Sequence, residues 1–283
     1  MSRSVKEWMD MLAEAAREAR RAVSGLEGTD KKAVALGIGA SGDVTLLADR
    51  KAEDAVLKVL LRSEGLRVLS EEAGSVGDPG CLDTAVVDPL DGSSNFSKGL
   101  PFYCCSVAVA TGPALKDVAA ATVVNLVNGD TYCAARGEGA SKNGSKISAS
   151  KETKLSKAAL GVDMSRVSRQ EAASLAGLIS SAKRVVHYGA NALELCLLAE
   201  GKLDGFVDLR GRMRVTDIAG GYLIAKEAGA KIAIAMEPPT APVISLEGRF
   251  NVVASGSKSL QARVLEAIRP KGRAPKGWAL KPA

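Results

Sequence analysis

The sequence predicts an α+β fold, and three observations carry that prediction. Strand-rich segments between two N-terminal helices suggest an antiparallel sheet before residue 150, strands and helices alternate after it, and 46% hydrophobic content in 283 residues is enough to bury one large core or two moderate ones. The change of texture near Ser150 divides the chain into an N-terminal α+β half, 1–150, and a C-terminal α/β half, 151–283.

Residues 4–23 place Trp8, Leu12, Ala15, Ala19 and Val23 on one face at helical spacing, with Lys6, Glu14, Arg17 and Arg21 elsewhere, so the first element is an amphipathic packing helix. The run from Gly37 to Gly42 formally matches Gly-x-Gly-x-x-Gly, but Val44-Thr45-Leu46-Leu47 continues as strand where a dinucleotide site would open a helix. Asp49 to Arg62, with Val56, Val59 and Leu60 in register, reads as a second helix capped by Asp49. A strand over 66–69 then delivers Glu71 and Glu72, the latter read as a solvated carboxylate. Residues 84–87 are β-formers ending at Asp88, where Pro89 is expected to stop the ladder. Gly139 to Lys146 is a near miss to a phosphate-binding loop, with Ser and Lys in the wrong order, and Asn143-Gly144 reads instead as a hairpin turn. Strands over 160–163, 185–187, 205–208 and 251–254 alternate with helices over 168–180, 190–200, 217–228 and 257–268, and the Pro-, Gly- and Lys-containing tail from Pro270 reads as a loose terminus.

Composition narrows the function classes. A net charge of +6 and a pI near 9.0 invite a nucleic-acid reading, but the basic residues are dispersed and aromatics make up 4%, so no basic, aromatic-interleaved strip exists; the charge suits steering of phosphate anions instead. Five cysteines without a Cys-x-x-Cys pair support neither a disulfide framework nor a zinc site. The first residues carry no apolar signal core and no run of roughly eighteen apolar residues occurs, which points to the cytoplasm and away from a membrane.

Chemistry concentrates in Asp88-Pro89-Leu90-Asp91-Gly92-Ser93-Ser94-Asn95. Two carboxylates three positions apart repel in a dry site unless a cation lies between them, and hard oxygen ligands suit Mg²⁺, Mn²⁺ or Ca²⁺. The Leu90 carbonyl is a further candidate ligand, and the N–H groups of Gly92, Ser93 and Ser94 can form an anion-binding nest if a helix starts there. An EF-hand is excluded, because Leu90 interrupts the acidic alternation and Gly99 stands at the closing place. A metal beside an anion nest reads as a phosphate site.

The run 88–95, with Ser70-Glu71-Glu72-Ala73-Gly74 before it and Thr216-Asp217-Ile218-Ala219-Gly220-Gly221 after it, resembles the inositol monophosphatase superfamily of metal-dependent sugar-phosphate phosphatases, and within it the archaeal-type members that hydrolyse both inositol 1-phosphate and fructose 1,6-bisphosphate. The resemblance implies a layered αβαβα sandwich, two or three Mg²⁺ ions with Mn²⁺ as a substitute, a small sugar phosphate as partner, and a homodimer or higher homo-oligomer. It implies Glu71, Asp88 and the Leu90 carbonyl as ligands of a first metal, Asp88, Asp91 and Asp217 as ligands of a second, and Ser93 with Asp49 as the pair orienting the attacking water. Ser93 stands where the family carries Thr, and Thr216 where it commonly carries Trp. His187 at a strand end, Asp208 and Arg210 are expected on the substrate side, with Arg212 and Arg214 on the outside of the loop. The same chemistry on a nucleotide such as 3′-phosphoadenosine 5′-phosphate or NADP is the alternative activity. A non-catalytic phosphate- or metal-binding protein on this scaffold is the alternative from another class.

Overall fold

Five layers alternate helix and sheet in the computed structural model, which describes residues 3–40, 42–236, 244–268 and 281–282. The chain opens with α1 (Val5–Ser24), whose N-terminus is closed by Ser4 and Glu7 in a reciprocal capping box. A two-stranded hairpin, β1 (Ala35–Ile38) and β2 (Val44–Leu46), leads directly into α2 (Leu47–Leu60). An eight-stranded sheet follows: β3 (Arg67–Ser70), β4 (Gly74–Gly77) and β5 (Thr84–Asp91), then, after the short α3 (Ser93–Lys98), β6 (Cys104–Ala110), β7 (Val118–Asn125), β8 (Thr131–Ala135), β9 (Gly139–Lys142) and β10 (Ser145–Ile147). Its order is β10-β9-β8-β7-β6-β5-β3-β4, antiparallel except for the parallel β3–β5 pair. The second half contributes β11 (Ala159–Val162), α4 (Arg169–Ser181), β12 (Arg184–Val186), α5 (Asn191–Ala199), β13 (Gly205–Met213), α6 (Val215–Glu227), β14 (Lys231–Met236), β15 (Phe250–Ser255), α7 (Lys258–Ala267) and β16 (Lys281–Pro282). Its six strands run β12-β11-β13-β15-β14-β16, with β11 parallel to both neighbours and the remaining pairs antiparallel.

Three apolar clusters hold the layers together. Trp8, Leu12 and Val23 of α1 and Val56 and Leu60 of α2 pack on one face of the first sheet against Val87, Val107 and Val109. On its other face α5 and α6 fill the space between the sheets, where Leu195, Ile218, Tyr222 and Ile224 meet Ala108 and Val123 from one side and Phe206, Phe250 and Val252 from the other. Leu175 and Leu178 of α4 and Leu260 and Val264 of α7 cover the outer face of the second sheet. The glycines of Ala219-Gly220-Gly221 follow from this packing: a Cβ on Gly220 would stand 2.5 Å from Ser106 Oγ and one on Gly221 2.7 Å from Leu195 Cβ, so α6 lies against β6 and α5 only with no side chain there.

The structure moves several predicted boundaries. Helix α2 starts two residues earlier than expected with Leu46 as its N-cap, which puts Asp49 at the third helical position, where its Oδ2 accepts the Leu46 N–H at 2.7 Å. Asp49 therefore closes the helix from inside rather than capping it. Pro89 does not stop the ladder. Strand β5 continues to Asp91 through a bulge in which Asp88 faces Ser106 and Asp91 faces Cys104, leaving Pro89 and Leu90 opposite Cys105 alone, and the missing proline N–H is not needed there. The Asn143-Gly144 turn forms as read, both residues with positive φ between β9 and β10. Strand β14, which sequence reading passed over, is the partner of β15. Of the tail, residues 269–280 lie outside the described residues. All five cysteines are free thiols, and Cys104, Cys105 and Cys196 are buried. Among the described residues no helix is long and apolar enough to cross a membrane.

Candidate active site

The site forms where the C-terminal ends of β3 and β5 meet the N-terminus of α6. Parallel pairing of β3 with β5 brings Glu71, whose N–H donates to the Val87 carbonyl at 3.2 Å, beside Asp88. From the other side α6 presents Asp217, fixed by a 2.8 Å hydrogen bond from the Arg214 N–H to its Oδ2. Glu71, Asp88 and Asp217 each offer an oxygen lying within 4.8 Å of the others. Asp88 is 2% exposed, and its Oδ1 also accepts the Leu90 N–H at 3.1 Å.

Such a trio is electrostatically unfinished. Burial, and after it the neighbouring carboxylates, pushes Asp88 and Glu71 well above the usual carboxylate range; burial also raises Asp217, against the pull of the Arg214 N–H and guanidinium. Asp91 rises to about 8, first by burial and then by repulsion from Asp217. Buried carboxyls this close either keep protons or accept a cation, and an all-oxygen set of this charge fits a hard divalent ion. Asp91 stands next to the trio with its oxygens otherwise engaged: Oδ2 accepts the Ala192 N–H at 2.7 Å and Oδ1 the Asn191 N–H at 3.2 Å, both at the start of α5.

A cavity of about 820 Å³ opens over the trio, lined on one side by Glu71, Glu72, Gly92, Ser93 and Ser94 and on the other by arginines. Gly92 has φ +89° and a Cβ there would meet the Phe102 carbonyl at 3.0 Å, so glycine is what lets β5 turn into α3. Ser93 and Ser94 open α3, with N–H groups among the first four of a helix and so without intrahelical partners. The arginine wall is Arg166, Arg210, Arg212, Arg214 and Arg249.

The substrate-side expectations need correction at Asp208. That residue is fully buried, and its carboxylate is taken by Arg210, with Oδ1 accepting both the Arg210 N–H at 2.9 Å and Nε at 3.0 Å and Oδ2 accepting Nη2 at 2.6 Å. The same Nη2 lies 2.6 Å from Asp163, so Arg210 reaches the cavity already neutralised by two carboxylates. Arg214 is not on the outside of the loop either. Its guanidinium bridges Glu71, at 2.7 Å, and Asp43 of the β1–β2 turn, at 2.5 Å. His187 sits at the cavity rim beyond the lining residues, sharing a 3.0 Å hydrogen bond with Ser165. Asp49 is buried beneath the site and raised to about 7, chiefly by burial, and forms no hydrogen bond with Ser93. Glu72, read as solvated, is buried and bonded to the Thr45 hydroxyl. Thr216 is buried and off the cavity lining. Sequence reading missed Asp163, Ser165, Arg166 and Arg249. Only Asp163, at the end of a predicted strand, had a signal that pointed to a site.

A profile of the inositol monophosphatase family matches residues 4–273. The chain belongs to the inositol monophosphatase family. It is 35% identical over 275 residues to a fructose-1,6-bisphosphatase/inositol-1-monophosphatase of Methanothermobacter thermautotrophicus, covering 92% of this chain and 96% of that one. A bifunctional NADP phosphatase/NAD kinase of Methanococcus maripaludis is 32% identical across 78% of this chain, but only 43% of its own length is matched. Among solved structures, a Pyrococcus horikoshii protein described by its similarity to inositol-1 monophosphatase superposes with a TM-score of 0.79 at 31% identity, over 94% of this chain and all of the other. An inositol monophosphatase–fructose 1,6-bisphosphatase superposes at 0.80 with 30% identity, over 92% and 99%. The family fold is the layered sandwich described above.

Proposed function

We propose that the protein is a Mg²⁺-dependent phosphoric monoester hydrolase acting on sugar or polyol phosphates, with inositol 1-phosphate and fructose 1,6-bisphosphate as the leading substrates. One observation carries the reading: three mutually repelling carboxylates, Glu71, Asp88 and Asp217, largely shielded from solvent, converge beside a cavity whose lining includes the start of α3 and five arginines. Glu71, Asp88, Asp217, Asp91 and the Leu90 carbonyl would hold the ions. Divalent ions there supply charge neutralisation on the phosphoryl oxygens and a water acidic enough to be a nucleophile at neutral pH. The residues of the chain do the rest. The N–H groups of Ser93 and Ser94 at the start of α3 donate to the phosphoryl oxygens, and the Ser93 hydroxyl, above the buried Asp49, orients the attacking water.

Relatives named for fructose 1,6-bisphosphate support the bisphosphate, and so does the arginine wall. Arg212 and Arg166 are exposed on the cavity wall with no carboxylate within ion-pair distance among the described residues, unlike Arg210, and are the better-placed cations for a second phosphate. The division near residue 150 is part of the same reading: the first sheet lies before it and brings Glu71 and Asp88, the second lies after it, and the following half adds Asp217 and the arginines. A phosphate-release panel of inositol 1-phosphate, fructose 1,6-bisphosphate, 3′-phosphoadenosine 5′-phosphate and NADP, with Mg²⁺ and with EDTA, tests it. Release from the sugar phosphates only with Mg²⁺ is expected. Preference for a nucleotide would move the assignment to the alternative activity, and full release in chelator would refute the metal chemistry.

A further inference from the structure

Strand β13 breaks its pairing with β15 where it passes the cavity. Asp208 faces Val252 and Met213 faces Phe250, so Leu209, Arg210, Gly211 and Arg212 together stand opposite Asn251 alone. The backbone of Asn251 pairs with Ala235 of β14 on its other side. Its side chain crosses to the bulge, where Oδ1 accepts the Gly211 N–H at 2.7 Å and replaces a bond the ladder has lost. A backbone N–H facing the carboxamide fixes which of its end atoms is the oxygen. Gly211 has φ +59°, and a Cβ there would have room, 3.8 Å from the nearest atom, Asn251 Oδ1, so glycine answers to the left-handed backbone and not to crowding.

The arginines on either side of Gly211 are held differently. Arg210 is fixed through its own guanidinium, on Asp163 and Asp208. Arg212 is exposed on the cavity wall, and among the described residues its side chain has no ion pair. Glu171 of α4, held below the usual carboxylate range first by the Ser168 N–H and only later by Arg212 and Arg210, is closed on Ser168 in a capping box. The direction of Arg212 is therefore set by the backbone it departs from, and that backbone is pinned by the Gly211–Asn251 bond before it and by buried Met213 after it.

We propose that Asn251 is a positioning residue for selectivity: it holds the β13 bulge so that Arg212 meets the second phosphate of a sugar bisphosphate, while staying off the cavity lining itself. This rests on the reading of Arg212 as a second-phosphate cation. A guanidinium holds a phosphate through two parallel N–H donors, so its contribution depends on the angle at which it is presented. A loosened bulge leaves the charge in place and spoils that angle. The effect stops short of the acidic trio, because β13 pairs again at Met213 with Phe250 before the chain reaches Asp217. A monophosphate, held at the trio and the start of α3, does not sense it.

The test is steady-state phosphate release from fructose 1,6-bisphosphate and inositol 1-phosphate by the full-length protein at saturating Mg²⁺, with thermal unfolding as the check on folding. Asn251→Ala should raise KM for the bisphosphate about fivefold, with KM for the monophosphate and kcat for both within about twofold of the parent. In an Arg212→Ala background the same change should add nothing, because it acts through Arg212. An unchanged KM for the bisphosphate, equal rises on both substrates, or the full rise repeated without Arg212 each overturn the proposal. If Asn251→Ala does not fold, Gly211→Val perturbs the same turn from its other end, since a β-branched residue resists that φ, and should raise the same KM; no rise there overturns the proposal as well. Failure of the underlying reading looks different. Arg212→Ala losing equally on both substrates refutes Arg212 as the second-phosphate cation, and a parent that releases no phosphate from the bisphosphate refutes that substrate; either result takes the role of Asn251 with it.

Discussion

Replacing Asp88 by Asn changes one charge and almost no volume. The amide oxygen can still accept the Leu90 N–H that the carboxylate accepts at 3.1 Å, so the β5 bulge should survive. The trio, whose oxygens lie within 4.8 Å of one another, falls from three carboxylates to two. Two unit charges 4 Å apart interact by about 4 kcal/mol at an effective dielectric constant of 20, and a carboxylate with a divalent ion by up to twice that; desolvation of the ion and the remaining amide dipole return part of it. A net loss of about 4 kcal/mol corresponds to roughly a thousandfold in rate. The assay is phosphate release across a Mg²⁺ titration, paired with thermal unfolding in EDTA. Turnover should fall by about three orders of magnitude while the metal-free variant melts higher than the parent, because one of three mutually repelling groups has gone. A rate within about tenfold of the parent at saturating Mg²⁺ would refute the argument and leave Asp88 a turn residue.

Arg210→Ala strands Asp163 and Asp208 as buried carboxylates and should cost about 3–5 kcal/mol in urea unfolding, with both sugar phosphates affected alike. Arg212→Ala should leave stability unchanged and lower kcat/KM for fructose 1,6-bisphosphate about tenfold against inositol 1-phosphate; equal losses would remove it from the second-phosphate site. Ser93→Ala should bind Mn²⁺ as the parent does but lose about a hundredfold in kcat, and lost binding with intact turnover would reverse that assignment. Glu194, fully buried with Oε1 accepting the Tyr188 and Gly189 N–H groups, is raised by burial from 4.5 to about 7. Its folded state holds the proton more tightly, so its contribution is full below pH 4.5 and is lost as pH rises through about 7. Urea unfolding at pH 5 and pH 8 should therefore show a fall in the parent that Glu194→Gln reduces by about 2–3 kcal/mol, and identical falls would show that Glu194 does not titrate in that range.

The sequence by itself determined most of the elements and the candidate ligand carboxylates. Periodicity placed α1 within a residue at each end, and the strand-helix alternation after Ser150 matched the observed elements to within about two residues except for β13, which runs five residues further than read, and for β14 and β16, which were not read. Asp88 and Asp91 stood out because two carboxylates with Pro and Gly at fixed offsets are a local pattern, and Glu71 and Asp217 joined them as candidates through short motifs of the family resemblance. Those are properties of neighbours along the chain.

What only the tertiary structure decided is which charges meet. Asp163 and Asp208, on β11's end and in β13, are 45 residues apart in number, and only the parallel pairing of those strands puts both on Arg210, turning an expected phosphate contact into a neutralised support. Arg210, Arg212 and Arg214 share a two-residue spacing, yet one is held half-buried between carboxylates, one is exposed at the cavity and one reaches across to Glu71 and Asp43. Spacing sets the side of a strand from which a side chain departs. Its protonation, pairing and access to a ligand are set by what other segments bring into the same few ångströms, where low dielectric makes each added charge worth several times its value in water.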